Sequence, residues 1–365
     1  MSALVQVCVG VGGTGKTTTA AAMAVGHALA GRRTVVLTID PARRLADALG
    51  LEALGNRPRR VEVPGARGTL DALMLDRKAT WDEIVRRHAP SPEIAGRILE
   101  NRYYRAVSTR LTGSHEYMAV EKLHELAEAG HWDVVVLDTP PAQHVLEFFQ
   151  APDRVRRIFD RGVLGTLVDP GRALGGGLVG SAGRKALRLL ERLAGASVMQ
   201  DIAEFFSLIG GMSGGFRDRS AQVAELLRSE RASYWLVADA RAPERNDPLA
   251  FLAALRERGM RFGGFLVNRA TPDPGLPDDW GPHRLPAALE GLDAETWAAW
   301  REALGRLPHA ARAEARAQRE AARRLSSSAD GAPVWLVPEV TAGLDDVAGL
   351  AALARHLPPL AARAC

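Results

Sequence analysis

Residues Gly10 to Thr17 read GVGGTGKT, in which four glycines lead into a lysine and a threonine at the spacing of a phosphate-binding loop. The glycines let the backbone curl so that successive N–H groups point inward at phosphate oxygens, and a helix beginning there adds its partial positive charge. Lys16 is expected to reach the β- and γ-phosphates and the Thr17 hydroxyl to sit on Mg²⁺. Gly12, Gly13, Thr14, Gly15, Lys16, Thr17 and Thr18 are thus the expected nucleotide contacts, and Lys16 also serves the chemistry. Phosphoryl transfer asks the protein mainly for positioning and charge, so carboxylates that hold magnesium and water are the next requirement. Asp138, after the run VVVL, is the natural magnesium carboxylate, acting directly or through bound water. Asp40, after TVVLTI, is placed to orient or deprotonate the attacking water. Aspartate is also a common capping and turn residue, which is the plainer explanation of each. His144, just past Asp138, is a γ-phosphate contact or a turn cap. No Ser/His/Asp triad and no His/Cys ligand cluster is visible.

These residues must be positioned by strands that end where the chemistry begins. Leu4–Val9 is an apolar, β-rich run ahead of the loop, and the Ala-rich stretch Thr18–Ala30 behind it has helical character, with Gly31 as its cap. Further strands are expected over Arg32–Ile39, Leu70–Leu75, Asp133–Leu137, Tyr234–Ala238, Phe262–Val267 and Val334–Val337. Between them, 45–50 reads as a short helix or turn. Trp81–Ala129 is mostly helical, as are Pro248–Arg258 and a long stretch from about Leu289 to Leu325. Strands alternating with helices predict an α/β fold, a mostly parallel sheet covered by helices on both faces. Ligands then sit at the carboxyl ends of the strands, where Gly10, Asp40, Asp138 and Asn268 all fall. The expectation is one domain over 1–365 with an inserted helical subdomain over 151–229. There Leu187, Leu190, Leu193 and Ile202, Phe205, Phe206, Ile209 recur at helical spacing around a Gly-rich passage at 175–183. Those apolar residues either pack on the core or form a groove for a client helix.

A chain of 365 residues, 47% hydrophobic and 25% charged, can bury a substantial core. Its formal charge of +4 comes from an arginine-rich composition with lysine only at 16, 78, 122 and 185. No basic block interleaved with aromatics appears, which argues against a nucleic-acid partner. The two cysteines, Cys8 and Cys365, form no C-x-x-C pair, and Cys8 reads as a small buried hydrophobe. No apolar run of about 18 residues exists to span a membrane. The apolar N-terminus lacks a basic leader and runs straight into the loop, so a cytoplasmic location is expected. The segment His309–Arg324 (HAARAEARAQREAARR) is a strong helix former whose charges read as a solvated face.

Taken together, GVGGTGKTTT, TIDPARRLADALG, GSHEYMAVEKL and DTPPAQH resemble the arsenite-pump and tail-anchored-protein-targeting ATPase family, within the dimeric deviant-phosphate-loop class. The resemblance takes in nearly the whole chain, with Val267-Asn268 and Pro338-Glu339-Val340 falling where that family recognises adenine. It implies ATP and Mg²⁺ as cofactors, Lys16 and Thr17 on phosphate and metal, Asp40 as the switch aspartate that aligns water, Asp138 on the magnesium side, and Asn268 and Pro338 at the base. It also implies a nucleotide-gated dimer whose helical insertion opens and closes with the switches. Three positions depart from the family pattern. Val11 stands where a lysine usually reaches across the dimer, residues 271–283 lack the cysteines that bind zinc between subunits in some members, and Gln143 replaces the glycine before the switch histidine. The resulting expectation is a Mg²⁺-dependent ATPase that couples dimer closure to a hydrophobic helical client or a membrane partner, slow alone because of Val11. Its dimer would be a homodimer or a pairing with a lysine-bearing paralogue. The alternatives are a nucleotide-binding regulatory or scaffold subunit with little turnover, and the motor of an anion efflux pump.

Overall fold

Strands buried on both faces read as continuous apolar runs, and three such runs make the centre of the sheet: β1 (Leu4–Val9), β2 (Arg33–Thr38) and β5 (Val134–Asp138). The computed structural model describes residues 2–110, 114–140, 151, 213–243, 247–273, 294–340 and 346–358. Outward from that centre lie β4 (Thr69–Met74) and the short β3 (Arg59–Val61) on one side. On the other lie β6 (Ala232–Asp239), β7 (Phe262–Ala270) and β8 (Val334–Pro338). The order is β3-β4-β2-β5-β1-β6-β7-β8, parallel throughout except for the β3–β4 pair. This is the expected mostly parallel α/β sheet. The antiparallel edge strand β3 was not anticipated, because three residues with two exposed arginines carry no apolar pattern.

Alternation along each strand divides the core in two. Val5, Val7, Val35, Leu37, Val135 and Leu137 face one side, where they meet α3 (Arg77–His88), α4 (Pro92–Glu100), α6 (Ser114–Glu128) and α7 (Ser213–Arg228). A further helix, α5 (Arg102–Arg110), adds the buried Tyr104 to that side. Cys8, Val36, Val134 and Val136 face the other, against α1 (Lys16–Leu29) and α2 (Arg44–Ala48). Local chemistry sets the helix ends. Asp76 and Ser91 accept from the backbone N–H groups of Ala79 and Ile94 to start α3 and α4. Asp247 does the same for α8 (Pro248–Glu257), and Gly31, at φ 89, ends α1 as anticipated. The long helix α9 (Ala294–Ser328) buries Ala315, Gln318, Ala322 and Leu325 and exposes Arg316 and Arg323, the solvated charged face expected there. The final helix, α10 (Val347–Ala354), packs Leu350 and Leu353 beside α1. Gly26 of α1 permits this approach, since a Cβ there would lie 3.2 Å from Ala354.

The connection from β1 leads to β2 on one side of the sheet, while β6, β7 and β8 extend to the other, so the strand order reverses around β1. The crevice outside its carboxyl end is where such sheets bind ligands. Of the insertion expected at 151–229, the described part is Ala151, the helix α7 (Ser213–Arg228) and Ser229 after it. Residues 152–212, with the apolar residues at helical spacing, lie outside the described residues. None of the described helices is long and apolar enough to cross a membrane.

Candidate active site: the phosphate loop and its carboxylates

The loop between β1 and α1 has the curl its glycines imply. Gly13 and Gly15 take φ of 84 and 87, a region that side chains with a Cβ rarely enter. Gly15 also has no room for one, because a Cβ would overlap the Asn268 side-chain amide. Gly10 is confined in the same way by the Val237 carbonyl oxygen. A Gly15→Ala variant must therefore carry left-handed strain and displace Asn268, which together cost about 1–3 kcal/mol. It is expected to melt earlier by urea titration and to bind nucleotide more weakly, and a wild-type melt would contradict that.

Lys16 is the first residue of α1 and is buried, with its Nζ donating to the Val11 carbonyl at 2.8 Å. Burial lowers its pKa, while Asp138 and Asp40 pull it upward. Thr14 closes the same turn, its hydroxyl donating to Val11 O at 3.0 Å. Thr18 sits half-buried in the first turn of the helix, and Gly12 and Gly13 are exposed at the loop tip.

Strand register brings the magnesium candidates together. Asp138 pairs with Cys8 on one neighbour and with Thr38 on the other. Its Oδ2 accepts from the hydroxyls of Thr17 at 2.8 Å and Thr38 at 2.9 Å. Its Oδ1 is buried without a hydrogen-bond partner, an unusual state for an ionisable oxygen. Burial pushes the carboxyl up to about 6, opposed by the two threonine hydrogen bonds and Lys16 and reinforced by Asp40. A hard cation takes carboxylate and hydroxyl oxygen, so this donor set fits Mg²⁺ shared with phosphates. Among the described residues no group of three or more His, Cys, Asp and Glu makes a metal site by itself. Thr38, whose hydroxyl completes this cluster, was missed in the sequence; its only signal was its place at the end of a strand two residues before Asp40.

Asp40 is at present a turn residue as well as a candidate base. Its Oδ1 accepts from the Ala42 N–H at 2.9 Å, and its Oδ2 pairs with Arg44 at 2.9 Å. Asn268, at the end of β7, is buried and donates from Nδ2 to the Thr14 carbonyl at 2.9 Å. It thus braces the loop from beneath, a role its position in the sequence did not disclose. Pro338 closes β8 opposite Ala270, and Glu339 beyond it accepts from Arg241 at 3.0 Å. Gln143 and His144 lie outside the described residues.

Amides curled toward the open edge of a parallel sheet, with an ammonium and a helix N-terminus behind them, are a device for gripping a polyphosphate tail. The fold is accordingly that of an α/β phosphate-loop nucleotide-binding protein. Within that class, residues 4–175 match the model of the anion-transporting ATPase family. The match covers less of the chain than the motif resemblance does. The chain is 29% identical over 282 residues to an uncharacterized protein of Streptomyces coelicolor, covering 74% of this chain and 63% of that one. It is 29% identical over 145 residues to the ATPase GET3 of Malassezia globosa, covering 40% and 41% of the two chains. With a candidate arsenical pump-driving ATPase of Chlorobaculum tepidum it shares 29% over 151 residues, 40% of this chain and 34% of that one. Each alignment spans less than two-thirds of the relative's own length.

Proposed function

We propose that this chain is a Mg²⁺-dependent ATPase, converting ATP and water to ADP and phosphate. We further propose that it works as a dimer in the cytoplasm, where closure governs a hydrophobic helical client or membrane partner held by the 151–229 insertion. The observation that carries the reading is Asp138, a buried carboxylate with one oxygen clasped by Thr17 and Thr38 and the other left open. Lys16 exchanges its hydrogen bond with Val11 for the β- and γ-phosphate oxygens. Thr17 and Asp138 hold the cation, which when bound neutralises charge on the phosphates. Asp40 releases Arg44 and orients the water that attacks the γ-phosphorus as the bond to the bridging oxygen breaks. Gly12, Gly13, Thr14, Gly15 and Thr18 line the phosphate path, with Asn268 and Pro338 toward the base. The match of residues 4–175 to an ATPase family model supports this reading.

A Lys16→Ala variant is expected to lose nucleotide affinity by roughly 10²-fold, with no phosphate release above background. Titration of Mg-ATP followed by calorimetry, together with a steady-state phosphate assay, tests it. Unchanged binding and turnover in that variant would overturn the reading.

A second reading, a nucleotide-binding regulatory subunit with little turnover, draws on Val11, whose apolar side chain puts no charge at the loop. Brisk phosphate release by the purified chain alone eliminates it, while nucleotide binding with little release, both alone and with candidate partners, favours it. The name of the Chlorobaculum relative suggests a third reading, the motor of an anion pump. Stimulation of turnover by arsenite would favour that reading, against which stands a sequence with two cysteines, one of them the buried Cys8.

A further inference from the structure

On the side of β1 away from Asp138, a cavity of about 520 Å³ opens against the phosphate loop. Its walls are Gly10–Thr14, the end of β6 and the first turn of α8, a size and apolar character typical of small-ligand sites. Neither Lys16 nor Asp138 lines it. Arg269 does, and three observations single it out. Its φ is 60, a left-handed conformation uncommon in a residue with a long side chain and shared on this cavity by Asp247 at φ 50. The pairing of β7 with β8 slips between Val267 and Ala270, the kind of irregularity that re-aims a side chain beside an active site. The preceding residue, Asn268, is bonded to the Thr14 carbonyl, so the Arg269 Cα is held about 3.8 Å along the chain from a residue that touches the loop.

The guanidinium is loosely tethered. It meets Asp239 through one contact of 3.2 Å, and its side chain is 42% exposed. The other carboxylate oxygen of Asp239 is occupied by the Arg241 backbone N–H. Arginine carries five N–H donors in a planar fork suited to phosphate, so most of its capacity remains for another acceptor. The phosphate loop and this cation line the same cavity.

We propose that Arg269 is a nucleotide-binding residue, presenting a second cation to the phosphate chain from the cavity side, with Asp239 as its resting partner. The inference rests on the nucleotide-binding reading above and deepens it. The test is calorimetry of Mg-ATP and Mg-ADP, at low and high potassium chloride, on wild type, Arg269→Gln, Arg269→Lys and Asp239→Asn. Arg269→Gln is expected to bind both nucleotides about ten-fold more weakly at low salt, with a smaller difference at high salt. Arg269→Lys recovers part of that loss, and Asp239→Asn, which frees the guanidinium, binds as tightly as wild type or more so. Wild-type affinity in Arg269→Gln, or a loss that neither salt nor lysine alters, overturns the proposal. Should Arg269→Gln fail to melt cooperatively, the lysine and Asp239 variants decide: a ten-fold loss in Asp239→Asn counts against the proposal. If folded wild type binds no nucleotide, the failure belongs to the underlying reading of the site and not to Arg269 alone.

Discussion

An Asp138→Asn variant is expected to lose Mg²⁺-supported turnover by roughly 10²- to 10³-fold while becoming more stable than wild type at neutral pH. Both effects have one cause. The carboxyl is fully buried, and burial raises its pKa from 3.8 to about 6 in the folded chain. Between those values the native state holds a proton that the unfolded chain has released. Stability therefore falls as pH rises through that window and stays lowered above it. The deficit at pH 7 is about 3 kcal/mol. Asparagine keeps the shape and can still meet Thr17 and Thr38, but it carries no charge to desolvate. Urea melts in the absence of nucleotide should show wild type gaining stability from this group on acidification from neutral pH, and the variant lacking that gain. A cation at Asp138 favours the ionised form, so Mg-nucleotide binding by wild type should weaken below about pH 6. Equal stability of the two proteins at pH 7, or wild-type hydrolysis in the variant, would show that Asp138 is an ordinary buried acid.

Arg219→Ala should have the largest purely structural effect, destabilising the fold by about 3–5 kcal/mol. Glu121 of α6 is 1% exposed and accepts from Arg219 of α7 at 2.7 Å, with Arg87 of α3 at 3.9 Å. Its other oxygen, Oε2, is buried without a partner. Removing Arg219 leaves a carboxylate deep among helices with only a distant counter-charge. Beside it the Tyr117 and Ser220 hydroxyls meet at 3.2 Å, and Gly215 lies so close to the His88 ring that a Cβ would stand 2.7 Å away. These contacts fasten α7, which carries the chain back from 152–212 into β6. The companion double variant Glu121→Gln, Arg219→Met should recover most of the loss, since it deletes both charges together. A single-variant effect below about 1 kcal/mol, the range of exposed pairs, would mean that water reaches Glu121.

Much of this site was legible because its parts are local. A strand, a glycine turn and a helix start follow from neighbouring residues, as Leu4–Val9, Gly10–Gly15 and Lys16–Leu29 illustrate. Asp138 could be picked out because VVVL before it declares a buried strand with an aspartate at its end. The edge strand β3 and the helix α10 were not legible. Arg59–Val61 has no pattern apart from its partner β4, and Val347–Ala354 is held by its packing against α1 across Gly26.

The amino-acid order alone determined the α/β class, the phosphate loop, and which lysine, threonine and aspartates stand at the strand ends around it. Folding decided how they act on one another. Thr38 reaches Asp138 across 100 residues, Thr17 across 121, and Asn268 braces Thr14 across 254. Those meetings depend on strand order and register, and so do the burial that moves the Asp138 proton and the left-handed turn that aims Arg269. Strand order and register are properties of the packed sheet, with no trace in any one stretch of chain, because a residue's own neighbours do not specify which distant strand will lie beside it.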